Sequence, residues 1–491
     1  MFVLGIDFGG GACKATLLAD NGTIAAVHTV EYSTNYPEPG HAEQNPEDWF
    51  AATCSSIAAI LSEHRVSPKE IAAISLSAAT HIAVLLDEHD HVLAPAIYWT
   101  DSRSIAEVQK LKEEAGELIE QLVLHRPDTI WTMPQLLWIS RHWPDVWSQT
   151  KKILFAKDYV RHRLTGDYVT DYIEAEGSML FDYHKLEWSN DLCDLIDLKA
   201  DRLPRIVDPM NQTGMVTKQA AELTGLAEGT PVLCGTTDTA MEVFASGAIR
   251  RGQMTIKLAT AGRVCVVTEQ PWRNANLINY SHIIRGLWYP GTATKSCAAS
   301  YRWFRDTFGG DYEKWDEAAN SVSPGADGLI FHPYLNGELT PYADPFLCGS
   351  FIGIRSGHRK EHFARAVLEG VAMSLLDCKT AIDDIRIPYD HTAFVIGGGS
   401  QSPLWRQIIA DTLGMSLVLN ERSDSSFGSA MLAGIAIGMF QSPEGAIDTC
   451  TRKVARNVPN MENNKIYSEL FCKYKAVHDS LAPLYRQWWS S

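Results

Sequence analysis

Asp238 stands in Cys234-Gly235-Thr236-Thr237-Asp238-Thr239, between an apolar strand-like run and a helix-like one. A carboxylate there has two physical readings. It can cap the helix, because orphan N–H groups and the helix dipole favour negative charge. It can also act as a general base that takes the proton of a hydroxyl nucleophile, such as one on a sugar. A second carboxylate, Asp7, lies at the end of an apolar run and just before Gly9-Gly10-Gly11, with Lys14 on the run that follows. Glycines let backbone N–H groups approach a phosphate, the carboxylate can hold hydrated magnesium, and Lys14 can neutralise phosphate charge. An ordinary β-hairpin explains the same glycines.

Two later turns share this character. Leu258-Ala259-Thr260-Ala261-Gly262 is a small-residue hairpin whose Thr260 hydroxyl is a suitable γ-phosphate donor; the plain alternative is a second structural hairpin. Thr392–Ile396 runs into Gly397-Gly398-Gly399 and then Ser402-Pro403, which reads as strand, glycine turn and helix start, with Ser402 as N-cap and Pro403 at the first helical position. That turn suits a nucleotide lying against backbone, and equally a tight crossover. Thr80-His81 sits between two apolar runs, where a histidine is either a satisfied structural residue or a hydrogen-bond partner for a substrate hydroxyl. Trp99 and Trp131 are candidates to wall a sugar site.

Several chemistries are excluded. Asp7-Phe8-Gly9 is not the protein-kinase tripeptide, because only six residues precede it. The glycine triplet opens a strand-like run rather than a helix, so it is no dinucleotide fingerprint. The chain holds no Gly-Lys dipeptide and therefore no P-loop.

These groups need elements to carry them. The strands Phe2–Asp7, Cys13–Leu18 and Ile24–Val30 are expected at the start, joined through Gly9–Gly11 and Asp20-Asn21-Gly22, followed by a helix over Asn45–His64. Strand, small-residue turn and strand recur at Gln253–Glu269, with helices expected at Lys360–Ile385, Ser402–Leu413 and Gly428–Met439. The repeated pattern places one domain in each half, residues 1–243 and 244–491. No Ser-, Pro- or Gly-rich linker separates them, so a cleft between domains is the expected ligand site. With 491 residues, 45% apolar and 21% charged, the chain reads as a globular protein. Its net charge of −16 and lack of a basic stripe argue against nucleic acid. Ten cysteines with no CxxC pair argue against zinc and against a disulfide framework. No basic leader and no membrane-length apolar stretch are evident, so a cytoplasmic location is expected.

Taken in order, the motifs resemble the FGGY carbohydrate kinases. The resemblance covers essentially the whole chain: Gly5-Ile6-Asp7-Phe8-Gly9 with Lys14, Tyr98-Trp99-Thr100-Asp101-Ser102-Arg103, Lys157-Asp158-Tyr159, Gly235–Asp238, Leu258–Gly262, Pro333–Glu338 and Gly397–Gly399 with Pro403–Arg406. The run Gly349–Ile354 followed by His362–Glu369 fits the family's C-terminal pattern. The resemblance implies an α/β fold of two ribonuclease-H-like, actin-like ATPase domains flanking a central cleft, and transfer of the γ-phosphate of ATP to a terminal hydroxyl of a ketose, D-xylulose above others; the alternatives are another pentulose, a hexulose or a polyol as substrate, or a non-catalytic regulator that binds sugar or nucleotide. It implies Asp238 as base, Asp7 near Mg2+, and Gly10, Gly11, Lys14, Thr260, Gly262, Gly398, Gly399 and Ser402 around the nucleotide. Thr80, His81, Asp101, Trp131, Asp238 and Thr239 are the implied sugar contacts. The implied partners are a sugar and ATP, with no nucleic acid and no membrane, and the reading allows a homodimer.

The chain also departs from the pattern. Gly9-Gly10 replaces the usual Gly-Thr, Asp238-Thr239 the usual Asp-Asn, and Ala259-Thr260-Ala261-Gly262 the usual Gly-Thr-Ser-Gly. Thr80 replaces a Met, and Leu339 an Arg. The base is retained, while the changes fall on the sugar and phosphate sides.

Overall fold

The computed structural model describes residues 1–489. The chain forms two compact α/β units, each built on one mixed sheet. The first comprises Met1–Ile249, Tyr280–Gly286 and Arg422–Thr451; the second comprises Arg250–Asn279, Leu287–Glu421 and the residues from Arg452 on.

In the first unit Phe2–Phe8, Ala12–Ala19 and Ile24–Glu31 form an antiparallel meander. Phe2–Phe8 also pairs in parallel with Ile71–Ala78, which pairs in parallel with Pro231–Leu233 and, further along, with Thr236–Thr237. Gln212–Met215 closes the edge. Parallel strands covered by helices read as continuous apolar runs, and Ile71–Ala78 is buried at all but one position. Helices Pro46–Glu63 and Ser425–Ala436 pack on this sheet. The second of these, expected at Gly428–Met439, thus belongs to the first unit despite its late position in the chain. It lies so close to the first strand that an added Cβ at Gly5 would meet the Ser426 carbonyl oxygen at 2.0 Å and the Ala430 nitrogen at 2.3 Å.

The second unit follows the same plan. Met254–Leu258, Gly262–Val266 and Gly291–Thr294 form the meander, and Met254–Leu258 pairs in parallel with Thr392–Ile396, which pairs in parallel with Ser416–Asn420. The long helix Lys360–Asp384 crosses this unit's core. Within the C-terminal pattern, Arg365 and Glu369 form a buried ion pair, and the Glu369 carboxylate also accepts from the Tyr467 hydroxyl at 2.9 Å and the Gly325 N–H at 2.9 Å. Those residues therefore hold the last helix, Met461–Trp489, to the core. No described helix is long and apolar enough to cross a membrane.

Gly5→Ala should destabilise the protein by about 3 kcal/mol, the upper end of overpacking costs, because backbone rather than a flexible side chain must yield. Gly116→Ala, where a Cβ meets nothing within 4 Å, should melt at or above the wild-type temperature. Thermal melts of both variants decide this; an unshifted Gly5→Ala would show that the helix is not seated on the strand.

Candidate active site

Three parallel strands end in register. Asp7 pairs with Ser77 and Ser77 with Thr236; one residue on, Phe8 pairs with Ala78 and Ala78 with Thr237. The next residues of each strand are therefore the Gly9–Gly11 turn, Ala79-Thr80-His81, and Asp238-Thr239. Ligand sites in α/β sheets lie at such carboxyl ends.

Helix Asp238–Ala245 is capped by Thr237, whose hydroxyl oxygen accepts from the Ala240 N–H at 3.3 Å. The cap position is thus filled, and Asp238 occupies the first helical residue with its carboxylate half-buried. One of its oxygens accepts from the Thr239 N–H at 2.6 Å and the Thr239 hydroxyl at 3.1 Å. Asp7 receives a hydrogen bond from the Ser77 hydroxyl at 2.8 Å. Its oxygens keep some access, but the surrounding protein strips most of their hydration. That desolvation, with the negative charges of Asp238, Glu242 and Asp424, pushes its carboxyl up to about 8. Glu242 follows Asp238 by one helical turn and faces the same way; no local motif marks it in the sequence.

Among the described residues no group of three or more His, Cys, Asp or Glu side chains is arranged to cage a metal ion. Mg2+ needs no such cage, since it keeps several waters and takes one or two carboxylates plus phosphate oxygens. The Asp7 carboxylate, in negative surroundings and at a strand end, fits that donor set.

The glycine turn is oriented from behind. The Gly9 carbonyl accepts from the Tyr32 hydroxyl at 2.5 Å, and the Gly10 carbonyl from Gln44 at 2.9 Å and Thr34 at 3.1 Å. A trans peptide whose C=O points inward turns the next N–H outward, so the Gly10 and Gly11 N–H groups face away from these anchors. Lys14, directly across from Asp7 on the neighbouring strand, forms an ion pair with Asp424 at 3.0 Å. In the second unit the Ala259 and Thr260 carbonyls are anchored in the same manner by the N–H groups of Ala298 and Cys297, and Thr260 is exposed. Gly262 is buried, where a Cβ would crowd Cys297, Leu375 and Thr294 at 3.0–3.1 Å. Gly398 and Gly399 begin a short 3-10 turn, and the Ser402 hydroxyl caps helix Pro403–Leu413 by accepting from the Trp405 N–H at 3.0 Å.

Beyond the end of the middle strand, His81 has a left-handed backbone, φ +75°. Such strain persists only where neighbours over-determine it. The His81 N–H donates to Glu174 at 3.0 Å and its carbonyl accepts from Thr132 at 2.8 Å. Thr80 donates to the same Glu174 oxygen at 3.0 Å. Burial pushes that carboxyl up to about 8. Trp131 lies edge-on to the His81 ring at 4.6 Å and stacks on His125 at 4.5 Å. Trp99 is apart from this cluster, beside Tyr98. Asp101 is buried, and its carboxylate is engaged by Arg103 and by the Ala42 and Arg103 N–H groups. Behind the wall, Lys157 is buried between Asp158 and Asp171. Burial works against its charge, but the two carboxylates more than offset this and keep it protonated. Asp171 in turn accepts from the Thr236 hydroxyl at 2.7 Å and caps the helix Tyr172–Glu176 that carries Glu174. One buried ion network therefore braces both the Asp238 strand end and the His81 turn.

The model of the FGGY family of carbohydrate kinases, N-terminal domain, matches residues 2–245, and that of its C-terminal domain matches residues 254–437. The chain is 33% identical to the xylulose kinase of Bacillus subtilis over 97% of its own length and 96% of that protein. It is 29% identical to the gluconokinase of the same species over 96% and 94%. The ligand-bound xylulose kinase from Lactobacillus acidophilus superposes with a TM-score of 0.92 at 26% identity, over 99% of both chains.

Asp7 holds a proton up to about pH 8, so a cation bound there must displace it. Calorimetry of Mg2+ binding in buffers of different ionisation enthalpy should show release of about one proton at pH 7, falling towards zero above pH 9. Affinity should rise with pH across that window and level off beyond it. Asp7→Asn should abolish the proton release. Release unchanged in that variant would place the cation elsewhere.

Proposed function

Since the chain belongs to the FGGY family of carbohydrate kinases and is an ATP-dependent sugar kinase, we propose that it converts a ketose, D-xylulose, to its 5-phosphate with Asp238 as general base. The observation that carries this reading is the cap on helix Asp238–Ala245: Thr237 caps it, so the Asp238 carboxylate is left at the strand ends beside Asp7. As the terminal hydroxyl of the sugar attacks the γ-phosphorus, its proton passes to Asp238. The new O–P bond forms while the bond to the ADP oxygen breaks, and Asp238 later returns the proton to solvent.

The outward N–H groups of Gly10 and Gly11 are suited to donate to phosphate oxygens, and Lys14 can exchange Asp424 for phosphate charge. Thr260, Gly398 and Gly399 are the second unit's nucleotide contacts in this reading, with Gly262 and Ser402 shaping the turns that present them. Mg2+ held by Asp7 would screen the charge that gathers on the phosphates. His81, Trp131, Thr80 and Thr239 line the sugar, while Asp101 fixes the backbone near Ala42.

Similarity to gluconokinases favours a second reading, in which the substrate is a sugar acid. The surroundings argue for the neutral sugar: the charges of Asp238 and Glu242 already act on this end of the sheet, and a substrate carboxylate would add another negative charge.

ADP release over D-xylulose, D-ribulose, L-ribulose, a hexulose, a polyol and gluconate decides between the two. The highest kcat/KM is expected for D-xylulose, and a marked preference for gluconate would replace this reading. Asp238→Asn should lower kcat by about 10²–10⁴ and weaken sugar binding less. Near-normal turnover in a folded variant would remove Asp238 from the mechanism.

A further inference from the structure

Among the described residues the Asp7 carboxylate has one hydrogen-bond partner, the Ser77 hydroxyl, which meets Oδ1 at 2.8 Å. Behind Ser77 stands a second hydroxyl. Ser429 Oγ lies 3.0 Å from Ser77 Oγ, and both residues are fully buried. An ionised carboxylate only accepts, so the hydrogen of Ser77 goes to Asp7. Ser77 Oγ is then the acceptor for Ser429, which donates to it. The ready acceptor for a serine inside a helix is the carbonyl one turn back. Ser429 instead spends its hydrogen across the fold.

The helix that carries Ser429, Ser425–Ala436, is seated closely enough to hold such a bond. Its backbone abuts the first strand at Gly5. At Gly428 a Cβ would meet the Met241 carbonyl oxygen at 2.5 Å, on the helix that begins with Asp238. Three residues before Ser429, on the same face, Ser426 donates to Asp424 at 2.6 Å and therefore accepts from Thr16 at 2.7 Å. Asp424 is the partner of Lys14. One helix face thus reaches Asp7 through Ser77 and Lys14 through Asp424.

We propose that Ser77 and Ser429 are positioning residues for the Asp7 carboxylate, a relay of two hydroxyls through which helix Ser425–Ala436 holds Oδ1 and leaves Oδ2 for the cation; this rests on the reading that Asp7 holds Mg2+. A carboxylate already fixed in one orientation loses less freedom when it binds a metal, and the groups behind metal ligands are worth tenfold or more in affinity. Ser429 adds to this in two ways. Its donation polarises the Ser77 hydroxyl and strengthens the bond to Asp7. It also blocks the reverse arrangement, in which Ser77 would donate to Ser429 and leave Asp7 free to turn.

The test is calorimetry of Mg2+ binding to wild type, Ser77→Ala, Ser429→Ala, the double variant and Asp7→Asn. Titration at pH 9 keeps proton competition at Asp7 small. Ser77→Ala should weaken Mg2+ binding by about tenfold, and Ser429→Ala by about threefold, the smaller effect of a group one bond further away. The double variant should bind no more weakly than Ser77→Ala, because Ser429 acts only through Ser77. The sugar KM of both single variants should stay within about twofold of wild type. Should Ser77→Ala not fold, Ser77→Cys takes its place, since a thiol is a weak donor. Wild-type Mg2+ affinity in Ser429→Ala, or losses that multiply in the double variant, would overturn the proposal. A sugar KM that rises as much as the Mg2+ affinity falls would make the serines merely structural and also overturn it. Asp7→Asn that matches the wild type would instead overturn the placement of the cation, and the proposal with it.

Discussion

The site depends on the register of three parallel strands. Asp7, Ser77 and Thr236 lie side by side, so Asp238, two residues beyond Thr236, brings a second carboxylate close to the desolvated Asp7. Mutual repulsion and lost hydration both disfavour that arrangement. It persists because the sheet cannot shift by one residue without turning every side chain to the opposite face. Gly235 makes the third strand possible: its φ is +70°, and a Cβ there would lie 1.9 Å from the Leu76 carbonyl oxygen. Ser77 and the N-terminus of helix Asp238–Ala245 then supply the partial positive charge that tempers the repulsion.

A region of like charge would relax if its walls could move. The wall here is braced by groups that are costly to bury and costlier to separate. Lys157, Asp158, Arg161 and Asp171 form a fully buried ion cluster, and removing one partner of such a cluster leaves an uncompensated charge. Through Asp171 the cluster reaches both Thr236 and the helix bearing Glu174, which fixes Thr80 and His81. The acid pair and the aromatic wall are thus set by one framework, which suits phosphoryl transfer, where positioning and charge account for most of the catalysis.

Much of this was legible locally. The hairpin at Gly9–Gly11 follows from glycines between alternating apolar runs, and the Ser402-Pro403 helix start from cap chemistry. The two readings of Asp238 could not be separated without the neighbouring Thr237, which is an equally good cap by type. Glu242, His125 and Tyr280 carry no local signal, because tertiary packing alone brings them to Asp7, Trp131 and His81. The pairing of Lys14 with Asp424 links distant parts of the chain for the same reason. The helix Met461–Trp489 carries a weak local signal, because Pro483 lies inside it and its apolar positions are spaced among many charges.

Carboxyl-carbon NMR titration of Asp7, in wild type and in Asp238→Asn, tests the central claim most directly. A midpoint near 8 in the wild type that falls clearly once the charge at position 238 is removed is the predicted result. An ordinary carboxylate midpoint in the wild type, or one that Asp238→Asn leaves unmoved, would contradict the account that strand register forces these two groups together.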